Sequence, residues 1–146
     1  MQIKDMRAEH VDEVHAIECA SFKRPWARES IMKETENSIA TYIVALSPNG
    51  RVLGYAGMWH IAQEGHITNI AVSPGHRRSG CGALLLSRLI NIAAAKDMIG
   101  LTLEVRASNH AAMMLYQSRG FTKAGIRKAY YQDNSEDAII MWKWFE

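Results

Sequence analysis

Residues 69 to 82 read N-I-A-V-S-P-G-H-R-R-S-G-C-G and run directly into a helix-forming segment, Ala83 to Ala95. No other stretch limits the fold as much. An apolar strand ends, the chain turns at Ser73-Pro74-Gly75, and Arg77 and Arg78 precede a Gly-x-Gly that opens a helix. The N–H groups of a helix's first turn lack intrahelical partners and sit at the positive end of its dipole, so they bind anions. Gly80 and Gly82 leave those groups uncovered and permit the positive φ that an anion-wrapping turn uses. The two arginines add permanent charge and forked donors suited to phosphate. The junction reads as a phosphate-holding device, set against a plainer reading in which glycine only eases the passage from loop to helix.

Other features limit what such a device can belong to. A chain of 146 residues, 48% hydrophobic and 22% charged, is expected to form one globular domain over residues 1 to 146. The net charge of +2 is mild and gives no clustered basic signal for nucleic acid. Cys19 and Cys81 lie in unrelated contexts, which suggests neither a redox pair nor a zinc site and fits a reduced, cytoplasmic protein. His60, His66, His76 and His110 have no metal-ligand spacing, so no metal is expected. There is no apolar run long enough to span a bilayer, and no membrane partner is expected.

Taken in order, Ile3 to Arg7 reads as a strand, and Ala8 to Phe22 as a helix with Val11, Val14, Ile17 and Ala20 on its apolar stripe. Pro25-Trp26 interrupts it, and a short second helix is expected from Arg28 to Glu36. Phe22 and Trp26 either cap the core or line a substrate mouth. Strands follow at Ile39 to Leu46, Arg51 to Ile61 and His66 to Val72, with turns at Ser47-Pro48-Asn49-Gly50 and at Gly65. After the helix Ala83 to Ala95, Leu101 to Val105 alternates as a strand, Ala111 to Ser118 forms a helix capped by Ser108 or Asn109, and Gly120 ends it. Phe121 to Ala129 and Asp137 to Phe145 make a closing hairpin joined across Tyr130 to Glu136. The expected class is α/β: a mixed sheet of about seven strands, an antiparallel N-terminal meander, one parallel pair after a right-handed crossover, and about four flanking helices.

The order Arg77-x-x-Gly80-x-Gly82, then Asn109-x-x-Ala112-x-x-Leu115-Tyr116-x-x-x-Gly120-Phe121, resembles the GNAT acetyltransferases over nearly the whole chain. Pro25-Trp26, L-E-V-R-A-S-N at Leu103 to Asn109, Tyr130-Tyr131 and Glu136 to Met141 narrow the likeness to the bacterial ribosomal-protein-alanine acetyltransferases. The resemblance implies acetyl-CoA as cosubstrate and an acceptor that is the N-terminal segment of a protein such as a ribosomal protein. It assigns the pyrophosphate to Arg77, Arg78, Ser79, Gly80, Cys81, Gly82 and Ala83. It implies that the strands around Ile70, Ala71 and Val72 and around Leu101 to Val105 splay apart, that amides near Ile70 and Val72 polarise the thioester carbonyl, and that Asn109 contacts the cofactor.

Glu104 is the implied general base and Tyr116 the implied proton donor to the leaving thiolate. Burial of Glu104 beside apolar walls is expected to raise its pKa, with a bridging water carrying the proton. Trp26, Tyr130 and Tyr131 are candidates for positioning the acceptor peptide. A peptide α-amine with pKa about 8 is roughly a tenth deprotonated at neutral pH, against a few lysines per ten thousand, so an α-amine asks less of the base. Acetylation of lysine or a small amine, and a catalytically silent CoA-binding module, stay open as alternatives. A dinucleotide-binding oxidoreductase fails because Leu85 stands where a third glycine belongs, and a P-loop fails for want of Lys-Ser or Lys-Thr. Three departures from the family pattern stand out: Ser79 where a further basic residue is frequent, Cys81 inside Gly-x-Gly, and Ala27 in place of a capping Ser.

Overall fold

The computed structural model describes residues 1–146. Its elements are β1 (Gln2–Asp5), α1 (Val11–Ser21), α2 (Arg28–Glu34), β2 (Ala40–Leu46), β3 (Val52–Ile61), β4 (Glu64–Val72), α3 (Cys81–Ala95), β5 (Gly100–Arg106), α4 (His110–Ser118), β6 (Thr122–Tyr131) and β7 (Glu136–Trp144). They build one seven-stranded sheet in the order β1-β2-β3-β4-β5-β7-β6. Only β4 and β5 run parallel, joined by the crossover through α3, so the expected mixed α/β class is what forms.

Alternation along the strands separates two cores. On β2, Ile43 and Ala45 face α3 and share one core with Leu85, Leu86 and Leu89 of α3 and Met113 and Tyr116 of α4. Tyr42, Val44 and Leu46 face α1 and α2, where they meet Val11, Val14, Ile17 and Ile31. A sheet buried on both faces at its centre explains the nearly continuous apolar reading of β2. The helices reach only so far across it, and β6, the outermost strand, is exposed along most of its length.

Several boundaries depart from the sequence reading. A 3-10 turn at Ala8–His10 precedes α1, and the apolar stripe of α1 carries Glu18 rather than Ala20, which is exposed. The turn between β3 and β4 is Ala62-Gln63, both at positive φ, not Gly65. Gly65 lies within β4, and its glycine answers a packing requirement, since a Cβ there would sit 2.3 Å from the Leu101 side chain. Tyr130 and Tyr131 belong to the end of β6 rather than to a loop, after a register shift between Arg127 and Tyr131 at which Ala129 takes φ 51°. Ala27 is the N-cap of α2 and supplies no side-chain cap, as the missing Ser implies.

Candidate active site

β4 and β5 pair only over Glu64–His66 against Gly100–Thr102. Beyond that point no ladder joins them, so Ile67 to Val72 and Leu103 to Arg106 flank a wedge. Ile70 and Val72 pack toward the α3 core, whereas Asn69 and Ala71 turn to the α1 side. The wedge opens where a ligand can take up backbone groups that a neighbouring strand would otherwise satisfy.

At the end of β4 the chain makes a 3-10 turn at Pro74–His76 and enters α3 through Gly80. Gly80 is the N-cap at φ 84°, and a Cβ placed there would touch nothing within 4 Å, so its glycine answers a backbone requirement and not a packing one. No side chain caps α3 and no acidic residue stands in its first turn. The N–H groups of Cys81, Gly82 and Ala83 are thus left for an anion. The Cys81 side chain itself is core, and burial pushes its thiol up. Arg78 is exposed at φ 64°. Arg77 is turned back: its Nε donates to Val72 O at 3.1 Å and its guanidinium to Ser21 Oγ at 3.2 Å, fastening the loop to the ends of β4 and α1. The Ser79 hydroxyl is also spent locally, on His76 O.

Glu104 lies on the α1 side of β5, since Leu103 and Val105 fill the opposite core. The apolar walls expected around it are absent. Its side chain is 33% exposed and its Oε2 sits 3.2 Å from Arg127 Nε, because no helix covers this end of the sheet and β6 brings a cation across. Tyr131 stands near both candidate catalytic groups. Burial raises its phenol pKa, the Arg106 guanidinium 4.0 Å over its ring opposes that rise, and the Glu104 charge adds to it. Tyr130 packs edge-on against Tyr131 and is about half exposed.

Tyr116 is buried on α4 and tilted against Phe121, with ring centroids 5.9 Å apart. Burial first, then Tyr131, pushes its phenol well above the ordinary range, which keeps the proton in place at neutral pH. Its hydroxyl makes no hydrogen bond within the protein, yet no buried side-chain oxygen or nitrogen is left without a partner, so this oxygen keeps access to the outside. Asn109 is the α4 N-cap, its Oδ1 accepting from Ala112 N at 3.1 Å. Trp26 lines a cavity of about 350 Å³ with Ser30, Lys33, Glu34 and Trp59, its ring 6.2 Å from that of Trp59.

The family model for the Acetyltransferase (GNAT) family matches residues 11–121. The chain belongs to the GNAT acetyltransferase family. Its members are acyltransferases that use acetyl-CoA, and the uncovered α3 N-terminus and the β4–β5 wedge fit that cosubstrate's phosphates and amide-bearing arm. A Bacillus subtilis (strain 168) relative is 43% identical over 141 residues, 96% of this chain and 93% of its own length. The [ribosomal protein bS18]-alanine N-acetyltransferase of Escherichia coli (strain K12) is 35% identical over 141 residues, 95% of this chain and 94% of that one. The crystal structure of the ribosomal-protein-S18-alanine N-acetyltransferase from Escherichia coli superposes with a TM-score of 0.88 at 33% identity, covering 97% of this chain and 92% of that one. No helix of this GNAT chain is long and apolar enough to cross a membrane, and no group of three or more His, Cys, Asp or Glu is placed to hold a metal.

Two features of this acetyltransferase escape a reading of motifs. Arg106 is the hub of the β6–β7 hairpin, bonding Asp133 at 3.1 Å and Glu136 at 3.4 Å beneath Tyr131. Glu136 also accepts from Ser108 N at 2.7 Å, and these bonds, those from Ser108 above all, hold its carboxyl down at about 2. The second is Glu18, 1% exposed, in contact with Tyr55, Asn69 and the backbone of Trp26. Its signal was present in the sequence as an acid four residues after Val14, on the helix face that carries the apolar stripe.

Proposed function

We propose that this chain, as one acetyltransferase domain over residues 1–146, transfers acetyl from acetyl-CoA to the α-amine of an N-terminal Ala on a ribosomal protein in the cytoplasm. The acceptor class rests on the activity named for its full-length Escherichia coli relative. The observation that carries the chemistry is the unpaired β4–β5 wedge, with Glu104 on one of its strands and an uncapped helix N-terminus at its end.

In this reading the amides of Cys81, Gly82 and Ala83, with Arg78, hold the pyrophosphate, while Arg77 and Ser79 shape the loop. The freed backbone between Ile70 and Val72 takes the thioester end and stabilises charge developing on its carbonyl oxygen. Glu104 accepts the amine proton as the N–C bond forms, and the open position of its carboxylate leaves room for an intervening water. As the C–S bond breaks, Tyr116 gives its proton to the departing sulfur. The incoming amine competes with Arg127 for Glu104, and Trp26, Tyr130 and Tyr131 border its approach.

The test is to incubate purified protein with acetyl-CoA and a peptide that copies a ribosomal-protein N-terminus beginning with Ala, then locate the acetyl group by mass spectrometry. Modification of the α-amine, slowed strongly in Glu104→Gln and less in Tyr116→Phe, is the expected result. Acetyl on an internal lysine alone would overturn the acceptor assignment, and release of CoA without any acceptor would mark a non-transferring module.

A further inference from the structure

One buried carboxylate fastens two parts of the acceptor side that are far apart in the chain. Glu18 Oε2 accepts the backbone N–H of Trp26 at 2.8 Å. Its Oε1 accepts the Tyr55 hydroxyl and the Asn69 side-chain amide, the latter at 3.2 Å. Asn69 Oδ1 in turn accepts the Tyr42 hydroxyl at 3.0 Å, and the Thr68 hydroxyl lies 2.5 Å from the same phenol oxygen. Thr68 is the extra residue of a bulge in β4, where Asn69 pairs with Gly57 but Ile67 already pairs with Met58. The Tyr42 ring reaches the bulge by lying across Gly57, where a Cβ would come within 2.1 Å of it.

No lysine, arginine or histidine forms an ion pair with Glu18, so its charge is held by neutral donors alone. A buried carboxylate kept without a counter-ion is costly, and an apolar residue would fill this helix position more simply. What the carboxylate supplies is a three-way tie among α1, the Pro25-Trp26 loop and the β4 bulge that directly precedes Ile70.

We propose that Glu18 is a positioning residue that sets the acceptor loop at Trp26 against the thioester-holding backbone of β4, acting through Asn69 and the bulge. This rests on the reading of the wedge given under Proposed function. It acts on the transfer step and on the acceptor's fit, and leaves the pyrophosphate loop alone.

Steady-state kinetics of Glu18→Gln, taken at a temperature where circular dichroism shows it folded, test this. The expected result is a fall of at least tenfold in kcat/KM for the Ala-first peptide, shared between lower kcat and higher peptide KM, with the Kd for acetyl-CoA within threefold of wild type. A lower melting temperature with wild-type kcat and KM would overturn the proposal and leave Glu18 a purely structural residue. Should Glu18→Gln fail to fold, Tyr55→Phe removes one donor while keeping the ring. It is expected to lose threefold or more in kcat/KM, and unchanged kinetics there would overturn the proposal equally. If the wild-type protein ignores the peptide but acetylates another amine, the same ratios measured with that amine test Glu18 separately from the acceptor assignment.

Discussion

Glu18 and Glu104 serve the same face of one sheet in opposite surroundings. Glu18 is sealed under α1, held by a backbone N–H, a phenol and an amide, with no cation in contact. Glu104 stands where the helices stop, open to solvent and paired with Arg127 from the edge strand β6. The first environment is fixed by packing and is indifferent to salt; the second can exchange its partner for an incoming cation at little cost. On the function proposed above, Glu104 takes up the substrate's proton from its exchangeable site, and Glu18 holds two backbone segments in register from its sealed one. The boundary between them is the β4–β5 wedge, where the ladder ends after His66 and Thr102.

Replacing Glu104 breaks this comparison most directly. Glu104→Gln keeps the shape and removes the proposed proton acceptor, so kcat/KM is expected to fall roughly 100-fold or more, as general-base contributions do. Activity within a few-fold of wild type would move the base elsewhere on the open face. On the sealed side, Gly57→Ala pushes a methyl into the Tyr42 ring and is expected to cost about 1–3 kcal/mol in denaturant unfolding. An unfolding midpoint equal to wild type would show that Tyr42 can leave the bulge freely, and the sealed network would then be softer than its bonds suggest.

How much of this was legible in the sequence divides along the same line. The junction from Asn69 to Gly82 announced both the strand-to-helix turn and the uncapped helix, because glycine, proline and helical periodicity are local signals. The seven strands and four helices followed from period and turn chemistry. The Ala62-Gln63 turn was missed because neither residue advertises positive φ, and Gly65 was misread because its reason is the Leu101 side chain, a contact across strands. The surroundings of Glu104 were misjudged for a similar cause. Alternation fixes which face a strand residue takes, but whether a helix covers that face depends on how far α1 and α2 extend across the sheet. The Arg77 fold-back onto Val72 and Ser21 is likewise a tertiary contact that a basic pair in a motif does not reveal.

The hairpin on the open side carries a pH signature of its own. Glu136 is held at about 2, below the ordinary carboxylate value, mainly by Ser108. A depressed folded-state pKa stabilises the protein above the unfolded value near 4.3, and that contribution is lost as pH falls toward 2. The melting temperature of wild type should therefore drop more steeply than that of Glu136→Gln between pH 5 and pH 2.5. Parallel curves would mean that the Arg106 cluster does not depend on the Glu136 charge.

The smallest expected effect sharpens the comparison at its exposed end. Arg127 is the partner of Glu104, with side-chain exposures of 57% and 33%. Exposed ion pairs contribute about 0–1 kcal/mol, so Arg127→Ala should shift unfolding by no more than that, and raising the salt should bring the two proteins together. If the amine displaces Arg127 on arrival, removing the arginine removes a competitor, and the peptide KM should stay level or fall by a few-fold with kcat nearly unchanged. A loss of kcat approaching that of Glu104→Gln would show instead that guanidinium and carboxylate act as one unit. Glu104 would then resemble Glu18 in depending on a fixed partner, and the division of the sheet face into a sealed half and an exchangeable half would fail.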